Sequence, residues 1–444
     1  MFNPTEVEIL KKCLSKLEKG FSLPGFENPA DWATVENILS QVAEKMHNNY
    51  PYFHPLYAGQ MLKPPSPVAR LAYALSLYIN PNNHALDGSK ASSPMEKEAV
   101  MQLAGMFGWK DQYLGHLTGG GTMANLEALW VAGKTHPGKK IIASELSHYT
   151  HQRISEVLGL PFGTVICDNS GRMEVTALEA ELAKGDVGTV VVTLGTTGTG
   201  SVDPLAPVLK LRDRYGFRVH VDAAYGGYFV LASNLSSEAR SHFDVIDQAD
   251  SIVIDPHKHG LQPYGCGCIL FKDTRVGRFY KHDSPYTYFT EAELHLGEIS
   301  LECSRAGATA VALWATLKQF PVEKGGAMAE GMERCHQASK NLYRNISQDD
   351  RFIPLFEPAT DIVIWAPKAG SLSEVSERSQ DIFRACAEND LHLALLNYPS
   401  RLLPAHWQHI EKDREYVTCL RSCLMKWEHI DWVDEIWTRL TAVL

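Results

Sequence analysis

The feature that most constrains this chain is an alternation of short β-rich runs and helical stretches between residues 115 and 271. The run over 189–194, TVVVTL, is continuous and β-branched, which is typical of a strand buried on both faces. Such strands, separated by helices, form a largely parallel sheet covered by helices, so we expect an α/β fold. The predicted strands span 140–143, 163–167, 189–194, 218–221, 251–254 and 266–271.

The regions on either side of this block have a different character. Residues 1–90 combine an amphipathic helical pattern near the start with many prolines and aromatic residues, which predicts a helical and irregular N-terminal segment. Residues 91–320 are predicted to form the large α/β domain, and residues 321–444 a small C-terminal α+β domain. In that last part the patterns predict helices over 323–348, 373–386 and 430–444, and strands over 361–365, 391–396 and 416–424.

Composition narrows the class of protein. The 444 residues carry 42 Lys and Arg against 52 Asp and Glu, whereas binding to nucleic-acid duplexes needs an excess of cations. No run of 18 apolar residues predicts a membrane span, and the N-terminus has no apolar signal core. The nine cysteines are scattered without a CxxC pair, which is typical of reduced thiols. We therefore expect a cytoplasmic protein that binds neither nucleic acid nor membrane.

A glycine-rich loop, Gly119-Gly120-Gly121-Thr122, precedes a helical stretch. Backbone N–H groups at the start of a helix, together with the helix dipole, bind anions such as phosphate. A plain tight turn is the alternative interpretation of this loop taken alone.

Two other phosphate-loop patterns are discounted. The spacing Gly119-x-Gly121-x-x-Ala124 matches the dinucleotide fingerprint, but residues 111–117 before it are predicted to be a poor strand. The sequence Gly133-Lys134-Thr135 lacks the first glycine of a Walker A loop, because Ala128 occupies that position.

Two predicted strands end in residues with reactive side chains. The run over 218–221 leads into Asp222, and the run over 251–254 leads into Lys258, which two histidines flank. Because parallel strands end at one edge of a sheet, these side chains are expected to meet in one crevice. Pyridoxal phosphate (PLP) needs a Schiff-base lysine, an anion beside its ring nitrogen and a phosphate cradle. Taken alone, Asp222 is more often a strand-end cap and Lys258 a surface residue, but their occurrence together with the glycine loop favours PLP.

No metal site is expected. The pair His257-x-His259 is the best candidate, but no carboxylate or cysteine at ligand spacing completes a site. The pair Cys266-x-Cys268 alternates along a predicted strand, which indicates packing in the core.

Several motifs in order resemble the PLP-dependent group II amino-acid decarboxylases, which include glutamate, aromatic amino-acid, tyrosine and histidine decarboxylases. The resemblance covers most of the chain. It implies the PLP-dependent transferase-like fold (fold type I), a seven-stranded sheet, PLP as cofactor and a homodimer with shared active sites. The motifs are LTGGGTMANL (117–126), SELSH (144–148), TLGTTG (193–198), HVDAAYGG (220–227), DPHK (255–258) and LECSR (301–305).

The resemblance also implies roles for individual residues. Lys258 corresponds to the Schiff-base lysine, Asp222 to the ring-nitrogen partner and His148 to the histidine stacked on the ring. A loop tyrosine, Tyr286 or Tyr288, corresponds to the group that protonates the α-carbon after CO2 leaves. The residues expected to bind the cofactor are Gly120, Gly121, Thr122, His148, Thr196, Asp222, Ala224, His257 and Lys258.

Substrate choice is less constrained. Arg421 lies where some members bind the substrate carboxylate, although a structural arginine is the alternative, and Ser304 replaces a glycine that many relatives have. His54 is a candidate for an acidic substrate, whereas the neighbouring aromatic residues suit an aromatic one. We expect decarboxylation of an aromatic or acidic L-amino acid. Another PLP-dependent lyase, an aldehyde-forming oxidative deaminase and a catalytically silent binding protein are the alternatives.

Overall fold

The alternating block forms one seven-stranded sheet in a computed structural model that describes residues 3–25, 29–84, 88–281 and 300–444. The spatial order is β1-β7-β6-β5-β4-β2-β3. Strands β3, β2, β4, β5 and β6 are mutually parallel, whereas β7 runs antiparallel to both of its neighbours. The α/β fold with a mostly parallel sheet is therefore confirmed. The strands are β1 (Leu114–Thr118), β2 (Lys140–Ser144), β3 (Phe162–Val165), β4 (Val187–Thr193), β5 (Arg218–Asp222), β6 (Ser251–Ile254) and β7 (Gly267–Phe271).

Helices cover both faces of this sheet, because side chains alternate across each strand. In β4, Val190 packs in one core cluster with Leu205, whereas Val191 packs on the opposite side with Leu129. The helices of the described chain are α1 (Pro4–Glu18), α2 (Trp32–Met46), α3 (Pro67–Leu77), α4 (Ser92–Met106), α5 (Gly121–Thr135), α6 (Thr150–Leu158), α7 (Val175–Leu182), α8 (Leu205–Tyr215), α9 (Ser237–Phe243), α10 (Gly307–Gln319), α11 (Ala327–Gln348), α12 (Leu372–Glu388) and α13 (His429–Ala442).

The prediction that residues 111–117 are a poor strand is wrong. Strand β1 begins at Leu114 and pairs with β7 over its whole length. Gly115, which weakens the strand pattern, is needed there because a Cβ atom would lie 2.5 Å from a methyl carbon of Leu270. The dinucleotide fingerprint is still not supported. β1 lies at the sheet edge beside an antiparallel strand, whereas that motif needs β1 beside its next parallel strand.

The C-terminal region contains a second, four-stranded antiparallel sheet with the order β10-β11-β9-β8. Its strands are β8 (Phe352–Pro354), β9 (Ile362–Pro367), β10 (Ala394–Pro399) and β11 (Tyr416–Cys423). The short strand β8 was not predicted, because three residues carry no periodicity. Arg421 on β11 joins this sheet to the loop after β4, where it donates hydrogen bonds to the carbonyl oxygens of Thr197 and Gly198.

The N-terminal segment begins with α1, as its apolar spacing predicted, and Arg70 of α3 pairs with Glu6 of α1 at 2.8 Å. None of the helices in the described parts of the chain is both long enough and apolar enough to cross a membrane. All nine cysteines are free thiols. The division at residues 90 and 320 stays a prediction.

Candidate active site

A cavity of about 540 Å³ lies at the edge where the parallel strands end. Thr193 ends β4, Asp222 ends β5, and Asp255 directly follows β6, so three neighbouring strands contribute to it. The start of α5 closes another side. The residues that line the cavity are Gly119, Gly120, Gly121, Thr122, Met123, Asn125, Leu126, His148, Thr150, Thr193, Gly195, Thr197, Asp222, Ala224, Tyr225, Asp255, His257, Lys258 and Glu302.

The glycine loop forms a cradle that side chains would fill. A Cβ atom on Gly121 would lie 2.6 Å from the Oδ2 atom of Asp255, and Gly120 has a φ of +146°. No side chain caps the start of α5. The first N–H groups of a helix have no partner within it, and here they face the cavity at the positive end of the helix dipole. The loop therefore suits a phosphate group.

Lys258 lies on the turn after β6, with its Nζ atom 3.0 Å from the Oδ2 atom of Asp255. The Lys258 side chain is 20% exposed and the Asp255 side chain 3% exposed, so the pair is shielded but the amine faces the cavity. The second oxygen of Asp255, Oδ1, is buried without a hydrogen-bond partner in the described chain.

Asp222 is held in its ionised form by a residue that the sequence did not reveal. The Nε2 atom of His151 lies 2.9 Å from Asp222 Oδ2, and both side chains are buried. Burial alone would raise the pKa of Asp222, but the hydrogen bond from His151 and the charges of His151 and Lys258 hold it well below its usual value. Only the three-residue spacing between His148 and His151 hinted that the second histidine shares this site.

His148 lies at the entrance of α6, where its ring stacks on that of Tyr149 at 4.5 Å. Its Nδ1 atom contacts the Oγ1 atom of Thr150 at 2.7 Å. Burial lowers the pKa of His148, and the nearby Asp222 charge opposes that shift. An uncharged imidazole here presents an aromatic face to the cavity.

Of the other residues predicted to contact the cofactor, Ala224 and His257 line the cavity. Burial lowers the pKa of His257, against the opposing charge of Asp255. Thr196 is fully buried, and its Oγ1 atom lies 2.6 Å from that of Thr199. It does not line the cavity itself, although Gly195 and Thr197 on either side of it do. Its role in cofactor binding stays a prediction.

The three residues predicted to bind the substrate do not lie on this cavity. His54 packs edge-on against Trp432 at 4.9 Å, in a separate depression. Ser304 is exposed, and its hydroxyl accepts a hydrogen bond from the side-chain amide of Asn82. Tyr286 and Tyr288, the predicted proton donors, lie outside the described residues.

Arg421 is buried and engaged by oxygen acceptors of the protein. Its guanidinium donates to the carbonyl oxygens of Thr197 and Gly198 at 2.6 and 2.8 Å, and to the side-chain oxygen of Gln60 at 3.2 Å. In the described chain no carboxylate pairs with it. These contacts favour the structural interpretation, and a role in substrate binding stays a prediction.

The two histidines around Lys258 face different partners. The Nε2 atom of His257 lies 3.5 Å from Asp255 Oδ2, whereas that of His259 lies 3.2 Å from Asp361 Oδ2. They do not converge on one metal position. Cys266 and Cys268 are fully buried in the core, as the strand pattern indicated.

Glu302 lines the cavity and was not predicted as a site residue. Its Oε2 atom accepts a hydrogen bond from the backbone N–H of Gly119 at 2.8 Å. A Cβ atom on Gly119 would meet the other carboxylate oxygen at 2.9 Å, so this glycine makes room for Glu302.

The cavity fits PLP on its own geometry. It joins an amine, a shielded carboxylate and a cradle of backbone N–H groups, which are the three groups that PLP requires. Three lining residues also carry buried polar atoms without a partner among the described residues: Thr193 Oγ1, Asp255 Oδ1 and His257 Nδ1. Buried polar groups are normally hydrogen-bonded, and a polar ligand would supply partners here. Fold and cavity thus define a PLP-dependent enzyme.

Comparisons with known proteins agree with this class. The family model described as the pyridoxal-dependent decarboxylase conserved domain matches residues 137–366. L-tyrosine decarboxylase of Enterococcus faecium is 26% identical over 487 aligned residues, covering 85% of this chain and 79% of that protein. Aspartate 1-decarboxylase of Aliivibrio fischeri is 30% identical over 344 residues, covering 67% of this chain and 61% of that protein. The crystal structure of Oryza sativa TDC with PLP and tryptamine has a TM-score of 0.78 at 18% identity, covering 100% of this chain and 99% of that one.

The chain belongs to the pyridoxal-dependent decarboxylase family. The predicted family, cofactor and reaction class, decarboxylation of an amino acid, are confirmed.

Proposed function

We propose that this protein removes the α-carboxyl group of an aromatic or acidic L-amino acid and releases the corresponding amine and CO2. The observation that carries the proposal is the convergence of Lys258 and Asp222 on one cavity beside the start of α5. When bound, PLP supplies a conjugated ring that accepts the electron pair left on the α-carbon as CO2 departs. The residues around the cofactor would bind it and position it.

Lys258 would hold the cofactor through its side-chain amine. Asp222, kept ionised by His151, would hold a proton on the ring nitrogen and so supply the negative charge that PLP needs beside that atom. His148, whose pKa burial lowers, would offer an uncharged aromatic contact to the ring. The N–H groups of Gly121 and Thr122 would hold the phosphate and so position the cofactor in the cavity.

Of the two substrate classes, the cavity favours the aromatic one. Lys258 is the only lysine or arginine among the described lining residues, and Asp255 already pairs with it. Glu302 and Asp222 place further negative charge on the wall, which repels a second substrate carboxylate. Met123 and Leu126 offer apolar contacts to an aromatic side chain. The relatives include both an L-tyrosine and an aspartate decarboxylase, so the preference depends on the lining of the cavity alone.

We further propose a cytoplasmic homodimer with shared active sites. Helix α2 contains no buried residue, and its apolar side chains Trp32, Ile38 and Leu39 are 72, 52 and 60% exposed. A 15-residue helix gains most of its stability from packing of its apolar face, so this face suits an interface. Leu39→Asp is expected to shift the protein from dimer to monomer in analytical ultracentrifugation, and an unchanged sedimentation coefficient would contradict this interface.

The test of function is CO2 release from a panel of aromatic and acidic L-amino acids by the purified, PLP-loaded protein. We expect CO2 with the matching amine, and higher kcat/KM for L-tyrosine than for L-aspartate. Lys258→Ala is the matched control and is expected to lose the activity. A protein that shows the PLP absorption band but releases no CO2 from any member of the panel would contradict the proposal.

A further inference from the structure

A second cavity, of about 280 Å³, lies between the start of α3, the turn that follows Lys258 and the segment before α13. Its position is separate from the active-site cavity, with no lining residue in common. Two lysines and an arginine face it from different parts of the chain. Its lining residues are Phe53, Lys63, Pro64, Pro65, Ser66, Pro67, Arg70, Leu261, Phe320, Lys426, Trp427 and Glu428.

The two lysines are shielded, and in the described chain each ammonium donates a hydrogen bond to a backbone carbonyl only. The Lys426 ammonium also lies over the Tyr57 ring, 5.2 Å from its centroid. The Nζ atom of Lys426, a residue only 4% exposed, donates to the carbonyl oxygen of Tyr57 at 2.5 Å. The Nζ atom of the half-buried Lys63 donates to the carbonyl oxygen of Met425 at 3.0 Å. In the described chain no carboxylate lies within 4.0 Å of either ammonium. Since an ammonium has three N–H donors, each lysine has donors left for a ligand.

The remaining charges around the cavity do not neutralise this pair. Arg70 is engaged by Glu6 at 2.8 Å, so these two charges offset each other. Asp361, which pairs with His259, attracts Lys63 from beyond salt-bridge distance, and the exposed Glu428 attracts both lysines in the same way. Burial, together with repulsion from Lys63, lowers the pKa of Lys426 to about 7, and burial also lowers the pKa of Lys63.

The walls between these cations are apolar. Leu261 and Phe320 line the cavity, and the Phe320 ring packs edge-on against Trp427 at 5.4 Å. Unpaired charge in such surroundings is costly, and an anion that accepts several hydrogen bonds removes that cost.

We propose that this cavity is a binding site for a small oxyanion of the phosphate class, held by Lys63 and Lys426. The site does not depend on the proposed decarboxylation, and no residue of the active-site cavity takes part in it. It lies close to the catalytic turn, because Leu261 follows Lys258 by three residues and its carbonyl accepts the backbone N–H of Ser66 at 3.0 Å.

The test is isothermal titration calorimetry of the PLP-loaded protein with inorganic phosphate at pH 7.5 and constant ionic strength. The holoenzyme is used because its glycine loop already holds the cofactor phosphate. We expect saturable binding of phosphate, and uptake of protons, seen as a heat that varies with the ionisation enthalpy of the buffer. Proton uptake is expected because the bound anion favours the charged form of Lys426.

Lys63→Met and Lys426→Met are each expected to weaken phosphate binding at least about 10-fold, the effect of losing one charge-assisted hydrogen bond. Lys412→Met, at an exposed position outside the cavity, is the matched control and should bind as the parent does. If Lys426→Met does not fold, Lys63→Met and the proton uptake of the parent protein still decide the question. Titration with malonate and chloride distinguishes a phosphate site from a dicarboxylate site or a general anion effect.

The proposal would be overturned by the absence of saturable phosphate binding, by equal binding of phosphate to the Lys63→Met variant, or by chloride competing as well as phosphate. Tighter binding of malonate than of phosphate would reassign the site to dicarboxylates and so contradict the phosphate class.

Discussion

Two buried carboxylate–imidazole pairs in this protein have nearly the same chemistry and different surroundings. Asp222 pairs with His151 at 2.9 Å, and Asp361 pairs with His259 at 3.2 Å. In both, burial alone would raise the carboxyl pKa, and the imidazole partner holds it below its usual value. Burial and pairing therefore do not by themselves mark a functional site.

The two pairs differ in what surrounds the carboxylate apart from its histidine partner. Asp222 lines the active-site cavity, so one side of it is open to a ligand. Asp361 is fully buried where the C-terminal sheet meets the large sheet, and Tyr225 donates a hydrogen bond to it at 2.6 Å. The first pair lies beside a cavity that could hold a ligand, whereas the second joins two parts of the fold.

The substitution with the largest expected effect, Asp222→Asn, tests whether Asp222 has a functional role that Asp361 lacks. The amide keeps the size of the side chain and still accepts from His151, but it brings no negative charge to the ring nitrogen. We expect kcat to fall about 10²–10³-fold, the range for losing an electrostatic stabiliser, with a melting temperature close to that of the parent. The measurement is the rate of CO2 release at saturating PLP. A loss of less than about threefold would mean that Asp222 is as structural as Asp361.

Asp361→Asn should have the opposite effects: lower stability with little change in activity. The neutral amide weakens the hydrogen bond from Tyr225 and removes the ion pair with His259, and we expect the free energy of unfolding to fall by about 2 kcal/mol. Turnover per folded molecule should change little. Urea unfolding with activity measured at low urea separates the two effects. The comparison fails if Asp361→Asn lowers kcat as much as Asp222→Asn does.

Gly121→Ala tests the cradle beside the first pair. The added Cβ atom would lie 2.6 Å from Asp255 Oδ2, so the loop or Asp255 must shift. We expect the Kd for PLP to rise about 10-fold, in line with the cost of overpacking. Gly105→Ala in α4 is the control, since nothing lies within 4 Å of its added Cβ atom. Equal PLP affinity in both variants would argue against a tight phosphate cradle.

The last expected effect concerns the pH dependence of stability and involves two uncharged imidazoles, one in each region. Burial lowers the pKa of both His220, behind the active-site cavity, and His429, in the C-terminal region, to about 3. Between pH 6.5 and 3 the unfolded chain binds protons at these positions and the folded chain does not. The free energy of unfolding therefore falls as the pH drops through this window.

His429→Gln is expected to make this pH dependence shallower, by up to about 1.4 kcal/mol per pH unit, because the variant no longer binds this proton on unfolding. His409→Gln, at an exposed position, should leave the slope unchanged. Urea unfolding at several pH values between 6.5 and 4 measures the slope of the free energy of unfolding against pH. Identical slopes for both variants and the parent would mean that His429 titrates normally in the folded protein.

Much of the fold could be predicted from local patterns in the sequence. The prediction for 251–254 coincides with β6, and the other predicted strands of the large sheet differ from the observed ones by a few residues at most, because buried parallel strands are continuous β-branched runs. Strand β1 was not predicted, because Gly115 and His116 interrupt its β-rich pattern. Tertiary contacts explain why these two residues occur there: Leu270 occupies the space beside Gly115, and His116 contacts Glu127 at 3.2 Å.

The sequence by itself determined the family and the cofactor, and it predicted which residues would lie together in the candidate site. These depend on local order along the chain: a strand that ends in Asp222, a turn that carries Lys258 and a glycine loop before a helix. Only the tertiary structure decided that His151 holds Asp222 ionised, that Glu302 faces the cavity and that Arg421 is engaged by carbonyl oxygens. Partners far apart in the chain leave no periodic signal, because folding alone brings them within hydrogen-bond distance.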